Sequence, residues 1–332
     1  MTSHLILGST TSGKPLLWGT TENPHAAIAG RSGSGKSYFI KGLANQAVRQ
    51  GALVLALDYS GDLREYDPPE DLPFRRIDVL SPEFTVNPLV GAGSPDACAQ
   101  QLLSIMRSVF RFGSRSTTAL WSTTRKYLAS GEDPSLEGLL EYASNIQDRG
   151  KGLKAMLEPL ELMTALLHSG NQAISLDLFT PRFVVLDFSN IFDPDMRKLF
   201  VEVVLQSLWN QRLSSAGHLA VAIILILDEC QLISWGKGSM SIKVLREGRK
   251  YGIAGWFSTQ WLSNKDAVAA LGQAALQAHF RPDNHNVTPL ARKLCQGSGD
   301  MRQYQQLVSS LRQGQFLWQR PDGRVVIVNV TR

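Results

Sequence analysis

Cysteine is scarce in this sequence: Cys98, Cys230 and Cys295 are the only three in 332 residues. They are scattered and form no C-x-x-C pair. That excludes a disulfide scaffold and a cysteine-built zinc site, and it suits a reducing cytosol. Long hydrophobic runs are missing as well. The longest apolar stretch, Leu219 to Leu227, is nine residues, against the roughly 20 that a membrane-spanning helix needs. No membrane segment is expected, and the stretch reads as a buried strand. No basic region followed by an apolar one opens the chain, so no signal peptide is expected. There is no internal repeat and no low-complexity segment. What is present is 43% hydrophobic and 19% charged residue, enough to bury a proper core and too apolar for disorder. The length fits one large domain or two ordinary ones. A formal charge of +5 is compatible with a nucleic-acid partner without requiring one.

The organisation is α/β. His4 to Leu7 and Leu16 to Trp18 read as a short hairpin around the turn chemistry of Gly8 to Pro15. Ala26 to Ala29 is a short apolar strand. A glycine-rich loop follows, then helical spacing from Ser37 to Gln50, then an apolar strand from Leu53 to Leu57 ending in Asp58. This βαβ unit implies a parallel sheet covered on both faces. From about Pro95 to Ser175 strand patterns vanish and helical ones dominate: Gln101 to Phe110, Ala119 to Ala129, Leu136 to Asn145 and Lys154 to Leu167. Strand patterns return at Arg182 to Asp187, Val221 to Leu227 and Ile253 to Thr259. A final pair, Phe316 to Gln319 and Arg324 to Val330, is joined by the turn Arg320-Pro321-Asp322-Gly323. The expected division is a core over 1–94 and 176–332, interrupted by a helical insertion over 95–175.

Gly30-Arg31-Ser32-Gly33-Ser34-Gly35-Lys36-Ser37 satisfies G-x-x-x-x-G-K-[ST]. Glycines let backbone N–H groups wrap a phosphate, and the following helix adds its positive end. Lys36 can reach the β- and γ-phosphates of ATP, and Ser37 can ligate Mg²⁺. The expected nucleotide-binding set is Gly30, Ser32, Gly33, Ser34, Gly35, Lys36, Ser37 and Tyr38. A decoy precedes it. Gly8-Ser9-Thr10-Thr11-Ser12-Gly13-Lys14-Pro15 has the same glycine and lysine spacing, but proline stands where the hydroxyl belongs and no helical pattern follows. It reads as a hairpin turn. The second half of the site is Ile223-Ile224-Leu225-Ile226-Leu227-Asp228-Glu229. Asp228 would hold Mg²⁺, directly or through water, and Glu229 would orient and polarise the attacking water. A glutamate after the aspartate favours ATP hydrolysis over transfer to a bound acceptor.

These motifs resemble the HerA/FtsK superfamily of RecA-like P-loop motor ATPases, which includes conjugative transfer and viral packaging ATPases. Pro24-His25-Ala26-Ala27-Ile28-Ala29-Gly30 looks like that family's lead-in to the phosphate loop, and Thr85-Val86-Asn87-Pro88-Leu89 looks like its N-P-L segment. Leu245-Arg246-Glu247-Gly248-Arg249-Lys250-Tyr251-Gly252 followed by Ser258-Thr259-Gln260 looks like the R-E-G-R-K-x-G…S-Q stretch of the HerA branch. The resemblance implies a polar γ-phosphate sensor at Gln260. It also implies a role for Asp58, at the end of the strand next to the phosphate loop, in the metal–water network. Arg246 or Arg249 would be an arginine finger inserted into a neighbouring subunit's site, with Arg281 a third candidate. The alternatives are an ordinary strand-end Gln260 or Asp58, and a solvated basic helix face.

A finger acting in trans completes the active site only at a subunit interface, and repetition of such a contact closes a ring. The resemblance implies a homo-hexamer with double-stranded DNA in its channel, a translocase or helicase-type ATP hydrolase, acting in the cytoplasm. The loop Ser234 to Met240 is a candidate DNA contact through Lys237 or Lys243, with Trp235 stacking, or else an ordinary surface loop with a half-buried tryptophan. The N-terminal β-barrel usual in HerA proteins and the membrane helices usual in FtsK and coupling proteins are absent. A partner supplying targeting or nuclease activity is therefore expected, or a truncated chain. Two rival readings remain: an ATPase energising a conjugation, packaging or defence complex through protein contacts, and an assembly scaffold that signals by binding ATP.

Overall fold

Strand β7 (Ile223–Leu227) reads Ile-Ile-Leu-Ile-Leu, and all five residues are buried. A strand apolar on both faces must be covered on both sides. The computed structural model shows how. It describes residues 4–61, 63, 66–147, 150–167, 170, 174, 182–214, 223–236, 238–260, 264–295, 300–320 and 322–330. Residues 221 and 222 of the expected strand, and Pro321 of the expected turn, lie outside these.

The other strands are β1 (His4–Ser9), β2 (Pro15–Gly19), β3 (Ala26–Ala29), β4 (Leu53–Asp58), β5 (Phe74–Asp78), β6 (Phe183–Asp187), β8 (Ile253–Thr259), β9 (Leu276–Phe280), β10 (Gln315–Gln319) and β11 (Val325–Asn329). They form one sheet in the order β2-β1-β11-β10-β9-β3-β8-β7-β4-β6-β5. From β9 to β5 every pairing is parallel, and the pairings from β9 through β10, β11 and β1 to β2 are antiparallel. The sheet is thus mostly parallel, as the sequence implies. The hairpin reading of the decoy holds: Thr10 N donates to Lys14 O at 2.8 Å, and β1 pairs with β2. One expectation is corrected. The strand carrying Asp58 does not lie next to the phosphate-loop strand. β7 and β8 intervene between β3 and β4, so Asp58 sits beside the strand that ends in Asp228.

Helix α1 (Lys36–Arg49) covers one face, where Phe39, Leu43 and Ala47 pack with Val54, Ile226 and Trp256. The other face carries α6 (Pro194–Ser214) and α7 (Met240–Glu247). It also carries the four helices expected between 95 and 175: α2 (Pro95–Val109), α3 (Ser114–Ala129), α4 (Leu136–Ser144) and α5 (Lys151–Leu166). Local chemistry sets their starts. Ser94 accepts from Ala97 N ahead of Pro95 in the first turn of α2, and Ser135 accepts from Gly138 N to cap α4. These four helices and the sheet share one apolar cluster, in which Leu102 and Met106 join Leu199, Leu225 and Phe257. Helices α8 (Lys265–Leu271), α9 (Val287–Cys295) and α10 (Met301–Ser310) complete the chain, the last two covering Leu317. Asn87 of the N-P-L segment is buried and donates to Pro134 O and Gly170 O at 2.7 and 2.9 Å, which ties together the backbone before α4 and after α5. Among the described residues no helix is long and apolar enough to cross a membrane.

Candidate active site

The phosphate loop leaves β3 at the carboxyl edge of the parallel sheet, where open α/β sheets hold ligands. Its turn needs left-handed backbone: Gly33 has φ 70° and Gly35 has φ 106°. Any side chain is strained in that region. At Gly35 a Cβ would also come within 3.2 Å of Gly314 N. The loop is held from both sides and from above. Gly30 N donates to Thr259 O at 3.1 Å, Arg31 N to Arg281 O at 2.9 Å, and Gly314 N to Ser34 O at 3.0 Å. Gly35 caps α1 without a side-chain hydrogen bond, and the N–H groups of a helix's first turn have no partners inside the helix. Lys36 is buried and donates to Gly30 O at 2.7 Å and Arg31 O at 3.1 Å. Its ammonium closes the loop from within.

A cavity of about 190 Å³ opens over this loop. It brings together Ser32, Gly33, Gly35, Lys36, Ser37 and Tyr38 with Asp228 and Glu229 from the end of β7, and with Gln313. Two groups read independently from the sequence, 191 residues apart at Ser37 and Asp228, face one space. The donor set fits a triphosphate with its divalent cation: glycine-lined backbone and a lysine for the phosphates, a hydroxyl and a carboxylate for the metal.

Glu229 has φ 46°, the one positive value among the described non-glycine residues. Left-handed backbone costs a residue with a Cβ roughly 1–2 kcal/mol. The conformation is held by its side-chain bonds. One carboxylate oxygen accepts from Gln260 Nε2 at 3.0 Å and the other from Gln231 Nε2. Gln231 is oriented in turn by Thr259 Oγ1, which donates to its Oε1 at 2.7 Å. Gln260 and Glu229 were expected at one site. Gln231, Thr259 and Gln313 were given no role, since the identity of a lone glutamine or threonine assigns none.

Asp58 is fully buried, and its two oxygens accept from Gly61 N at 2.9 Å and Leu63 N at 3.0 Å. Burial raises its pKa. Its carboxylate organises the loop after β4, so the metal–water role assigned to it competes with two backbone donors.

Residues 22–208, more than half of the chain, match the family described as the helicase HerA central domain. The chain belongs to the HerA family. The matched span runs from ahead of the phosphate loop into α6. In fold, this HerA-family chain is similar to VirB4 of Thermoanaerobacter pseudethanolicus, with a TM-score of 0.76 at 16% identity over 100% of this chain and 97% of that one. The bacterial conjugative coupling protein TrwB aligns with a TM-score of 0.68 at 14% identity, over 98% and 88%. TrwB solved with ADP and Mg²⁺ gives the same score and identity, over 98% and 90%. No curated protein sequence matches.

The HerA-family arginines divide by edge. Arg246 lies in the last turn of α7, and Arg249 lies in the short 3-10 turn that follows; both are exposed. Gly252, closing that turn, accepts from Ile223 N at 2.8 Å, which fixes the turn beside the amino end of β7. Both arginines thus lie at the sheet edge opposite their own phosphate loop. Arg281 instead follows β9 and its carbonyl holds the loop. The expected DNA loop is corrected in part. Trp235 is 3% exposed, donates to Cys230 O at 2.7 Å and packs on Phe257, so it does not stack on a base. Lys243 lies 4.5 Å over the Trp209 ring, and burial lowers its pKa. Lys237 lies outside the described residues.

Proposed function

We propose that this HerA-family chain is an ATP hydrolase that assembles into a ring, a hexamer by family resemblance, and moves double-stranded DNA in the cytoplasm. The observation that carries the reading is the single cavity shared by Lys36, Ser37, Asp228 and Glu229. Bound Mg²⁺, held by Ser37 and Asp228, would supply charge neutralisation at the β- and γ-phosphates. The loop N–H groups hold the phosphates, and Lys36 leaves the carbonyls of Gly30 and Arg31 to meet them. Glu229 takes a proton from water as the water oxygen attacks the γ-phosphorus. The bond to the β–γ bridging oxygen breaks, giving ADP and phosphate. Gln260, already bonded to Glu229, is placed to couple the base to the γ-phosphate. Arg246 or Arg249 reaches the site of the next protomer. That assignment is supported by their exposure and by their position on the edge away from their own loop.

The TrwB likeness over 98% of the chain favours a second reading, in which the same hydrolysis energises a conjugation-type complex through protein contacts. ATPase rate, measured on the assembled protein with and without duplex DNA at low salt, separates the two. The translocase reading expects stimulation by DNA, abolished in Lys36→Ala and Glu229→Gln. A rate indifferent to DNA in an assembled ring would sink it, because phosphate contacts are strongest at low salt.

A further inference from the structure

Between Asp96 and Glu132 the sequence holds five cations, Arg107, Arg111, Arg115, Arg125 and Lys126, and no Asp or Glu. This stretch alone has a formal charge equal to the +5 of the whole chain. It spans nearly all of α2 and the whole of α3, and all five cations are exposed. Arg125 pairs with Asp96 at 2.7 Å and lies 5.6 Å over the Trp121 ring. Arg107, Arg111, Arg115 and Lys126 form no ion pair among the described residues.

Beside them lies a cleft of about 810 Å³ between α2, α3 and the loop that follows Glu229. Arg107, Thr117, Thr118 and Trp121 face Gly236 and Gly238 across it, and no carboxylate is among its described lining residues. The Trp121 indole N–H is buried without a partner among the described residues, a donor left over at the cleft. Hydroxyls, an indole N–H, glycine backbone and an arginine, with no acid, suit an anion. The spread of unpaired arginines beyond the cleft, toward the α2–α3 turn, suits a chain of anions over a single phosphate.

We propose that this cleft binds the phosphodiester backbone of nucleic acid. The inference rests on the DNA-handling reading above and names the surface that would do the handling. The cleft is also wired to the catalytic turn. Ser234 Oγ, on the loop, donates to Ser108 O at 3.1 Å on α2, and Trp235 donates to Cys230 O, the residue after Glu229. A strand seated in the cleft touches the loop whose other end positions the base, which gives nucleic acid a route to alter ATP turnover.

The test is binding of labelled single-stranded and duplex DNA to the full chain between about 50 and 200 mM salt. Arg107→Ala/Arg111→Ala/Arg115→Ala should weaken affinity by about tenfold or more and lower the log–log salt slope by roughly 2 to 3. Thr118→Glu, at an exposed helix position, should weaken binding without deleting a cation. Lys265→Ala/Arg292→Ala/Arg302→Ala removes the same charge from α8, α9 and α10 and should leave the slope unchanged. If the wild type binds DNA and both cleft variants match it in affinity and slope, the cleft is wrong while the translocase reading survives. Equal weakening by the α8–α10 variant overturns the cleft too, since net charge alone would then explain binding. Wild-type protein that binds neither DNA form removes both. Tighter capture of polyglutamate than of DNA overturns the nucleic-acid assignment.

Discussion

At the scale of single residues, the candidate chemistry turns on Glu229, held in left-handed backbone by two glutamine amides. Gln231 bonds to the Glu229 carboxylate and would act through it, as a positioning residue. Gln231→Ala should lower kcat by about an order of magnitude, near 1.4 kcal/mol, with KM for ATP little changed; steady-state kinetics checks it. A second residue-scale effect concerns acid. His25, in the lead-in to the phosphate loop, is buried, and its Nδ1 accepts from Gly255 N at 3.0 Å. Burial lowers its pKa to about 4. Above its ordinary value near 6.5 the ring is neutral in both folded and unfolded chains and contributes nothing to pH dependence. Below it, the unfolded chain takes up a proton that the folded one refuses until about pH 4. Stability therefore falls as pH falls through that window, by on the order of 3 kcal/mol. His279, lowered by burial to about 3, acts in the same direction. Glu202, raised by burial to about 7, opposes them: the folded protein binds its proton first, so acidification from pH 7 toward 4.5 adds stability. His25→Asn keeps an acceptor for Gly255 and removes one titration. Its melting temperature should drop less than that of the wild type between pH 6.5 and 4, and equal drops would exclude His25 as a source.

At the scale of elements, the phosphate loop is a sandwich. It lies between the carboxyl ends of β8 and β9 and under the turn before β10. Gly35→Ala adds a Cβ at 3.2 Å from Gly314 N on a backbone at φ 106°. We expect loss of ATP-analogue binding by tenfold or more with a melting temperature only a few degrees lower, since the apolar cores are untouched; calorimetry and a thermal melt measure the two. The sequence showed the loop, β7 and the four helices α2 to α5 because each carries its own periodicity or motif. It showed much less of β9, β5 and α6. Gln277 and His279 are buried polar residues within β9, so its apolar pattern is broken. Three consecutive β5 residues, Phe74 to Arg76, are only half-buried at the sheet edge. The middle of α6 is buried on nearly every side, with the polar Glu202, Ser207 and Asn210 among the buried residues, and shows no clean stripe. Gln231 and Gln313 were invisible for a different reason. Their roles come from tertiary placement beside Glu229 and the loop, which no local pattern encodes.

At the scale of the molecule, Arg246 and Arg249 stand one sheet-length from the phosphates their own chain would bind. This makes complementation a direct test of a shared site. Glu229→Gln and Arg246→Ala/Arg249→Ala should each be inactive alone, and mixing them should restore part of the ATPase, because some interfaces would then pair an intact base with an intact arginine. No recovery in rings that contain both variants would exclude a contribution of these arginines to the neighbouring protomer's site. Mass in solution with and without ATP analogue reports the assembly itself.

The bond from Gly314 N to Ser34 O, and the pairing of β1 with β11, join stretches separated by nearly the whole chain. A ribosome delivers the phosphate loop about 280 residues before its roof. A nascent chain therefore presents the lysine and glycines without the turn that braces them, and ATP has little to grip until that turn has been made.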